Sequence, residues 1–100
     1  MKVNIQSIHF DADQKLLDLI TKKVEKTSTF YEGIESIMVY LRLEKDEHKE
    51  NKTVEIKLNA GGKDIFAKEN SNTFENAIDL VIDKIITQVK KQKEKAQEKD

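Results

Sequence analysis

The chain of 100 residues has no cysteine, no proline and only three glycines. Without cysteine it forms no disulfide, runs no thiolate chemistry and builds no cysteine-based metal site. That fits a reducing compartment. Without proline, and with no low-complexity stretch or internal repeat, nothing marks a linker between domains. One hundred residues make one ordinary domain, able to bury about two-thirds of its unfolded surface. Net charge is also nearly absent, because 18 basic and 19 acidic side chains leave a formal −1. Adhesion to nucleic acid through net charge is therefore not expected, and any basic patch must be local. No apolar run approaches the ~20 residues of a membrane-spanning helix. The N-terminus, MKVNIQSIHFDAD, alternates apolar and polar residues where a secretory signal would have an apolar core. A soluble, cytoplasmic protein is expected.

Enzyme chemistry is as sparse. The two histidines, His9 and His48, have no cluster of partners near them in sequence. Gly61-Gly62 is no phosphate loop, because no lysine-serine or lysine-threonine pair opens a following helix. Ser28, Ser36 and Ser71 have no visible base, and Asp79 and Asp83, at i and i+4, read as a solvated carboxylate row. Neither catalysis nor a metal, cofactor or small-molecule substrate is expected.

What is present is periodic apolar patterning within a composition that is 37% hydrophobic and 37% charged. Residues 3–10 read as a strand, with Val3 and Ile5 on one face. Asp13 is placed to cap a helix, its carboxylate accepting from first-turn amides. Leu16, Ile20, Val24 and Thr27 trace that helix's inward face, and Gly33 marks a turn beyond it. Ile37, Val39, Leu41 and Leu43 alternate with Met38, Tyr40 and Arg42, the clearest strand pattern in the chain. Residues 45–51 are a charged hairpin loop. Val54, Ile56 and Leu58 alternate with Thr53, Glu55 and Lys57. Gly61-Gly62 makes a tight turn, and 65–68 form a short fourth strand. Asn72 or Thr73 caps a last helix.

This order predicts an α+β two-layer sandwich, β-α-β-β-β-α. Its four-stranded mixed sheet carries both helices on one face. The first crossover is expected to be parallel and right-handed, the later pairs antiparallel. The opposite face carries Met38, Tyr40, Arg42, Glu55 and Lys57. The domain is expected to span residues 1–96, with 97–100 a short charged, disordered tail.

The last helix is the most informative segment. Phe74, Ala77, Ile78, Val81, Ile82, Ile85 and Val89 recur at three- and four-residue steps and form one broad apolar face. Lys84, Gln88, Lys91 and Lys95 form a second stripe beside it. Lys90 and Lys93 point elsewhere.

Asn76-Ala77-Ile78-Asp79, followed by Lys84 and then Gln88, Lys91, Lys93 and Lys95, resembles the signature of the ribosome hibernation-promoting factors. Those proteins carry an AID motif, a downstream lysine and a Q-x-x-K-x-K-x-K run. Asn4-Ile5 resembles the family's opening. Lys23, Lys26 and Phe30-Tyr31 resemble the end of its first helix. Residues 41–45, with His48, resemble its second strand and following loop. The resemblance spans essentially the whole chain.

It implies a fold similar to double-stranded-RNA-binding domains. It also implies a translation inhibitor, monomeric when free, that binds rRNA in the small-subunit channel used by mRNA and tRNA. Such a protein promotes ribosome hibernation in starvation or stationary phase. A chain ending at Asp100 resembles the family's short members. The RNA-binding residues carried over are Lys23, Lys26, Lys84, Lys91, Lys93 and Lys95, with Lys90 at a position often basic in the family. Three positions depart from the pattern. Thr87 stands in place of a common arginine, which removes a bidentate phosphate donor. Ile86 replaces a polar residue, and Glu75 an aromatic.

Two other readings compete. A small RNA-binding module with a non-ribosomal target would use the same helix edges. A protein-interaction module, such as a regulator of the transcription machinery, would anchor on exposed Ile86, Tyr40 and Met38. A membrane-bound amphipathic helix fits poorly, because the apolar face is needed by the sheet.

Overall fold

The computed structural model describes residues 2–27, 33–44 and 51–98. Phe30, Tyr31, His48 and nearly all of the 45–51 loop lie outside them. The element order is β1 (Lys2–Ile8), α1 (Gln14–Thr27), β2 (Ile34–Leu43), β3 (Lys52–Ala60), β4 (Lys63–Ser71) and α2 (Phe74–Glu98). The strands lie side by side as β1-β2-β3-β4. β1 pairs parallel with β2, and the other two pairs are antiparallel. The expected order and pairing both hold.

Each boundary has a local cause. β1 ends at Ile8, two residues earlier than its pattern suggested, because His9 takes a left-handed backbone with φ 70°. The Asp13 carboxylate accepts from the Leu16 amide at 2.9 Å and caps α1. Gly61 and Gly62, at φ 58° and 78°, form the two-residue β3–β4 turn. Positive φ at both central residues matches the twist of the flanking strands, and glycine adopts it without strain. At α2 the Thr73 hydroxyl, and not Asn72, accepts from the Asn76 amide at 3.0 Å. Asn72 instead accepts from the Asn76 side chain at 3.3 Å. Thr73→Ala should cost about 1 kcal/mol. In a domain of this size that is a fall in Tm of roughly 4–8 °C, read by circular dichroism.

Both helices cover one face of the sheet, α1 against β1 and α2 against β3 and β4, and they touch each other. Ile37, Val39 and Leu41 meet Val54, Ile56 and Leu58, with Ile65 and Ala67 from β4. Ile20 and Val24 of α1 and Ala77, Ile78, Val81, Ile85 and Val89 of α2 close over them. All are 5% exposed or less, so the layer between helices and sheet is dry. Phe10 and Phe74 stack at 4.9 Å and tie the end of β1 to the start of α2. α2 is helical to Glu98, two residues into the segment read as a tail.

The opposite face of the sheet is uncovered by either helix. Strand register sets its side chains in cross-strand rows: Asn4, Met38, Lys57 and Phe66, then Gln6, Tyr40, Glu55 and Lys68.

Candidate nucleic-acid interface

Each α-helical residue turns the chain by about 100°, so the lysines of α2 divide between its two flanks. Lys84, Gln88 and Lys91 run along the flank beside β4. Asp79 and Lys90, eleven residues apart, run along the flank beside α1. The helix's outer back, with Asp83 and Thr87, lies between them. Lys84, Gln88 and Lys91 thus keep to one flank, as the stripe read from the sequence has them, and Lys90, expected to point elsewhere, lies toward the other.

On the α1 flank, Lys23 reaches across to Asp79 and pairs with it at 2.5 Å. This contact, 56 residues apart in sequence, staples α1 to α2. Asp79 stays exposed, as its spacing suggested, but it is ion-paired to another helix. The pair is partly exposed, so it is worth no more than about 1 kcal/mol. A phosphate can displace so weak a partner. Lys26 lies near the end of α1, exposed but already engaged in a contact of its own. Lys90 is exposed on the facing flank of α2.

On the β4 flank, Lys84 pairs with Glu69 at 3.2 Å and donates to the Lys68 carbonyl at 3.5 Å. Gln88 donates its side-chain amide to the Phe66 carbonyl at 3.0 Å. β4 is an edge strand, and its outward carbonyls are open to pairing by another chain. Lys84 and Gln88 cover two of them, so this stripe guards the sheet edge as well as presenting charge. Lys91 follows, exposed and without an ion pair to any described side chain. Lys93 and Lys95 belong to the final turns of α2, beyond Lys91, the last residue whose side chain is described.

The departures from the expected motif also have a place. Thr87 sits on the exposed back between the strips and donates its hydroxyl to the Asp83 carbonyl one turn back, at 2.9 Å. It satisfies itself within the helix and offers no cation. Asp83, Lys84, Thr87 and Gln88 line a shallow open depression there. Ile86 is half-buried, as are Met38 and Tyr40, so none is the fully exposed anchor expected of a protein-interaction surface. Among the described residues, the large apolar ones that are exposed are Phe66, at 52%, and Leu80, at 43%. A sequence signal for Phe66 existed. Ile65, Phe66 and Ala67 are consecutive and apolar, and a strand buries only alternate residues against one face.

Among the described residues, no group of three or more histidine, aspartate or glutamate side chains is arranged to hold a metal ion. None of the described helices is long and apolar enough to cross a membrane. The arrangement suits a backbone-reading surface, with cations on two flanks of one helix.

The profile of a family described as Sigma 54 modulation protein / S30EA ribosomal protein matches residues 3–97. Two Pseudomonas putida sequences named ribosome hibernation promoting factor are each 32% identical over 97 residues. The match covers 97% of this chain and 91% of theirs. Among solved structures, a ribosomal subunit interface protein from Coxiella burnetii superposes with a TM-score of 0.82 at 24% identity. That superposition covers 93% of this chain and 98% of that one. The N-terminal domain of Thermus thermophilus Protein Y gives 0.72 at 23% identity, over 90% and 93% of the two chains. At these identities the structural likenesses speak to the fold, which is shared.

Proposed function

Because the chain belongs to the Sigma 54 modulation protein / S30EA ribosomal protein family, we propose that it is a ribosome-associated translation inhibitor. It acts from the cytoplasm as a monomer until it meets a small ribosomal subunit. Residues 1–96 form the binding domain. It occupies rRNA in the channel used by mRNA and tRNA, and so holds idle ribosomes in hibernation during starvation or stationary phase. The names of its relatives, ribosome hibernation promoting factor and ribosomal subunit interface protein, point the same way.

The observation that carries this reading is the pair of basic strips along α2, in a chain whose net charge is −1. Lys84 and Lys91 line one flank and Lys90 the other, the side on which Lys23 of α1 meets Asp79; Lys26 lies near the end of α1, and Lys93 and Lys95 continue α2. Such strips bind nucleic acid by neutralising phosphates and releasing counterions. Recognition then rests on the shape and backbone of folded RNA. A protein that works by occupying a channel needs no catalytic group.

The direct test is sedimentation of the full chain with purified small subunits, large subunits or free duplex RNA. Comigration with small subunits is expected, and it should weaken steeply as salt rises. Comigration with free duplex but not with small subunits would overturn the ribosomal reading. Thr87→Arg adds a forked donor to the back of α2, between the two strips. It should tighten small-subunit binding by about three- to tenfold and steepen the salt slope by about one. Asp83, one turn back, will capture part of the new charge, which keeps this estimate modest.

A further inference from the structure

The helix flanks leave the open face of the sheet unused, and its chemistry differs from theirs. Register places Phe66 beside Lys57 in one row and Tyr40 beside Glu55 in the next, with Lys68 at that row's end. Phe66 is more than half exposed and Tyr40 half-buried, so each ring presents part of its surface to solvent. They stand two strands apart and one side-chain level along, or about 10 Å across the sheet and about 7 Å along it. Among the described side chains, the cations of this face are Arg42, Lys57 and Lys68. Its central acid, Glu55, lies between Arg42 at 3.8 Å and Lys68 at 3.6 Å and is only 16% exposed. Its charge is therefore already answered, and the middle of the face carries a positive excess. The buried Nε of Arg42 has no hydrogen-bond partner. At the far end Asn59 donates to Asp64 at 3.0 Å, with Glu35 in the same depression.

Aromatic residues that are wholly or partly exposed, interleaved with cations on one sheet face, match the two parts of an unpaired nucleotide, base and phosphate. Bases stack on aromatic side chains while lysine and arginine follow the backbone. We propose that the open face of the sheet is a second binding site, for single-stranded RNA. Tyr40 and Phe66 stack two bases, and Lys57, Lys68 and Arg42 hold the intervening phosphates. The spacing of the rings accommodates neighbouring or next-neighbouring nucleotides. The choice of RNA rests on the ribosomal reading above. The platform itself rests on strand register and exposure.

The test is fluorescence anisotropy of a labelled eight-nucleotide uridine strand with the full chain at low salt. Wild type should bind, and binding should weaken as salt rises. Phe66→Ala removes an exposed ring and leaves the core intact, as a thermal melt will verify. It should weaken binding by about five- to a hundredfold, and Lys57→Glu should also weaken it. Phe66→Trp should retain binding, with its indole emission quenched by the stacked base. Lys84→Glu with Lys91→Glu changes the net charge by four and should lower this affinity at low salt through long-range repulsion, but less than Phe66→Ala does, and its effect should fade as salt rises. The proposal is overturned if wild type does not bind the strand, if Phe66→Ala binds as wild type does, or if only the Lys84/Lys91 variant loses binding. None of those results touches small-subunit binding, which is read separately by sedimentation.

Discussion

Reversing Lys84 and Lys91 together to glutamate should lower affinity for small subunits by roughly one to two orders of magnitude at moderate salt. The slope of log affinity against log salt should fall by about two. Two phosphate-neutralising cations are lost from one flank of α2, and two anions take their place. The contributions of the two are unequal. Lys84 already faces Glu69 at 3.2 Å, so a phosphate competes there with a carboxylate. Lys91 is exposed and meets no such competitor among the described side chains. Lys91→Glu alone should therefore weaken binding more than Lys84→Glu alone. The fold should persist, because exposed ion pairs of this kind contribute no more than about 1 kcal/mol. The small loss that does occur should come from Lys84, whose glutamate would stand beside Glu69 and uncover the Lys68 carbonyl. Equilibrium binding in a salt series, with a melt of each variant, separates the two effects.

Ile78→Ala should act through stability instead. Ile78 is completely buried on the inward face of α2, the face packed on β3 and β4. Cutting an isoleucine in such a site to alanine costs about 2–5 kcal/mol, from lost burial and from the cavity left behind. Domains of this kind have only about 5–15 kcal/mol in total. Tm should fall by roughly 10–30 °C. Ribosome binding at low temperature should survive wherever the variant is still folded, because no phosphate-facing group has changed. A variant that stays folded yet no longer binds would mean that the α2 core positions contribute to recognition directly. The melt and the sedimentation assay, run at matched temperatures, distinguish the outcomes.

The fold was legible wherever a residue's environment repeats with the period of its own element. Alternation along 37–43 gave β2 its faces, and the three- and four-residue steps from Phe74 to Val89 gave α2 its apolar face. Asp13 could be read as a cap, and the cap of α2 narrowed to Asn72 or Thr73, because capping is a contact between near neighbours. β4 was harder. It runs from Lys63 to Ser71, well beyond the 65–68 core that its apolar residues mark. Its inward residues are Ile65, Ala67 and Glu69, and only the first is strongly apolar. Pairing with β3, which the strand's own sequence does not encode, extends it. β2 likewise begins at Ile34, before the alternation becomes regular, across an irregularity in its register with β3.

The candidate site was legible as a set of lysines and not as a geometry. Helical spacing aligned Lys84 and Lys91, but it could not reveal that Glu69 lies against Lys84 or that Asp79 holds Lys23. Those partners come from other elements, and only packing brings them together. The same limit hid the second job of Gln88, which covers a carbonyl of the β4 edge. It also hid which flank of α2 faces α1, because that depends on how the helices sit on the sheet. Exposure of Phe66 depended on strand register in the same way.

The central claim is that this chain silences ribosomes by occupying the small subunit through the basic flanks of α2. An in vitro translation reaction titrated with the full chain, and fractionated on a gradient in parallel, tests it most directly. The account predicts dose-dependent inhibition by wild type, with the protein migrating in the fractions that contain small subunits. Both effects should be lost in the Lys84→Glu, Lys91→Glu variant. Translation that continues unchanged with saturating wild type, or inhibition that is just as strong with the charge-reversed variant, would contradict it.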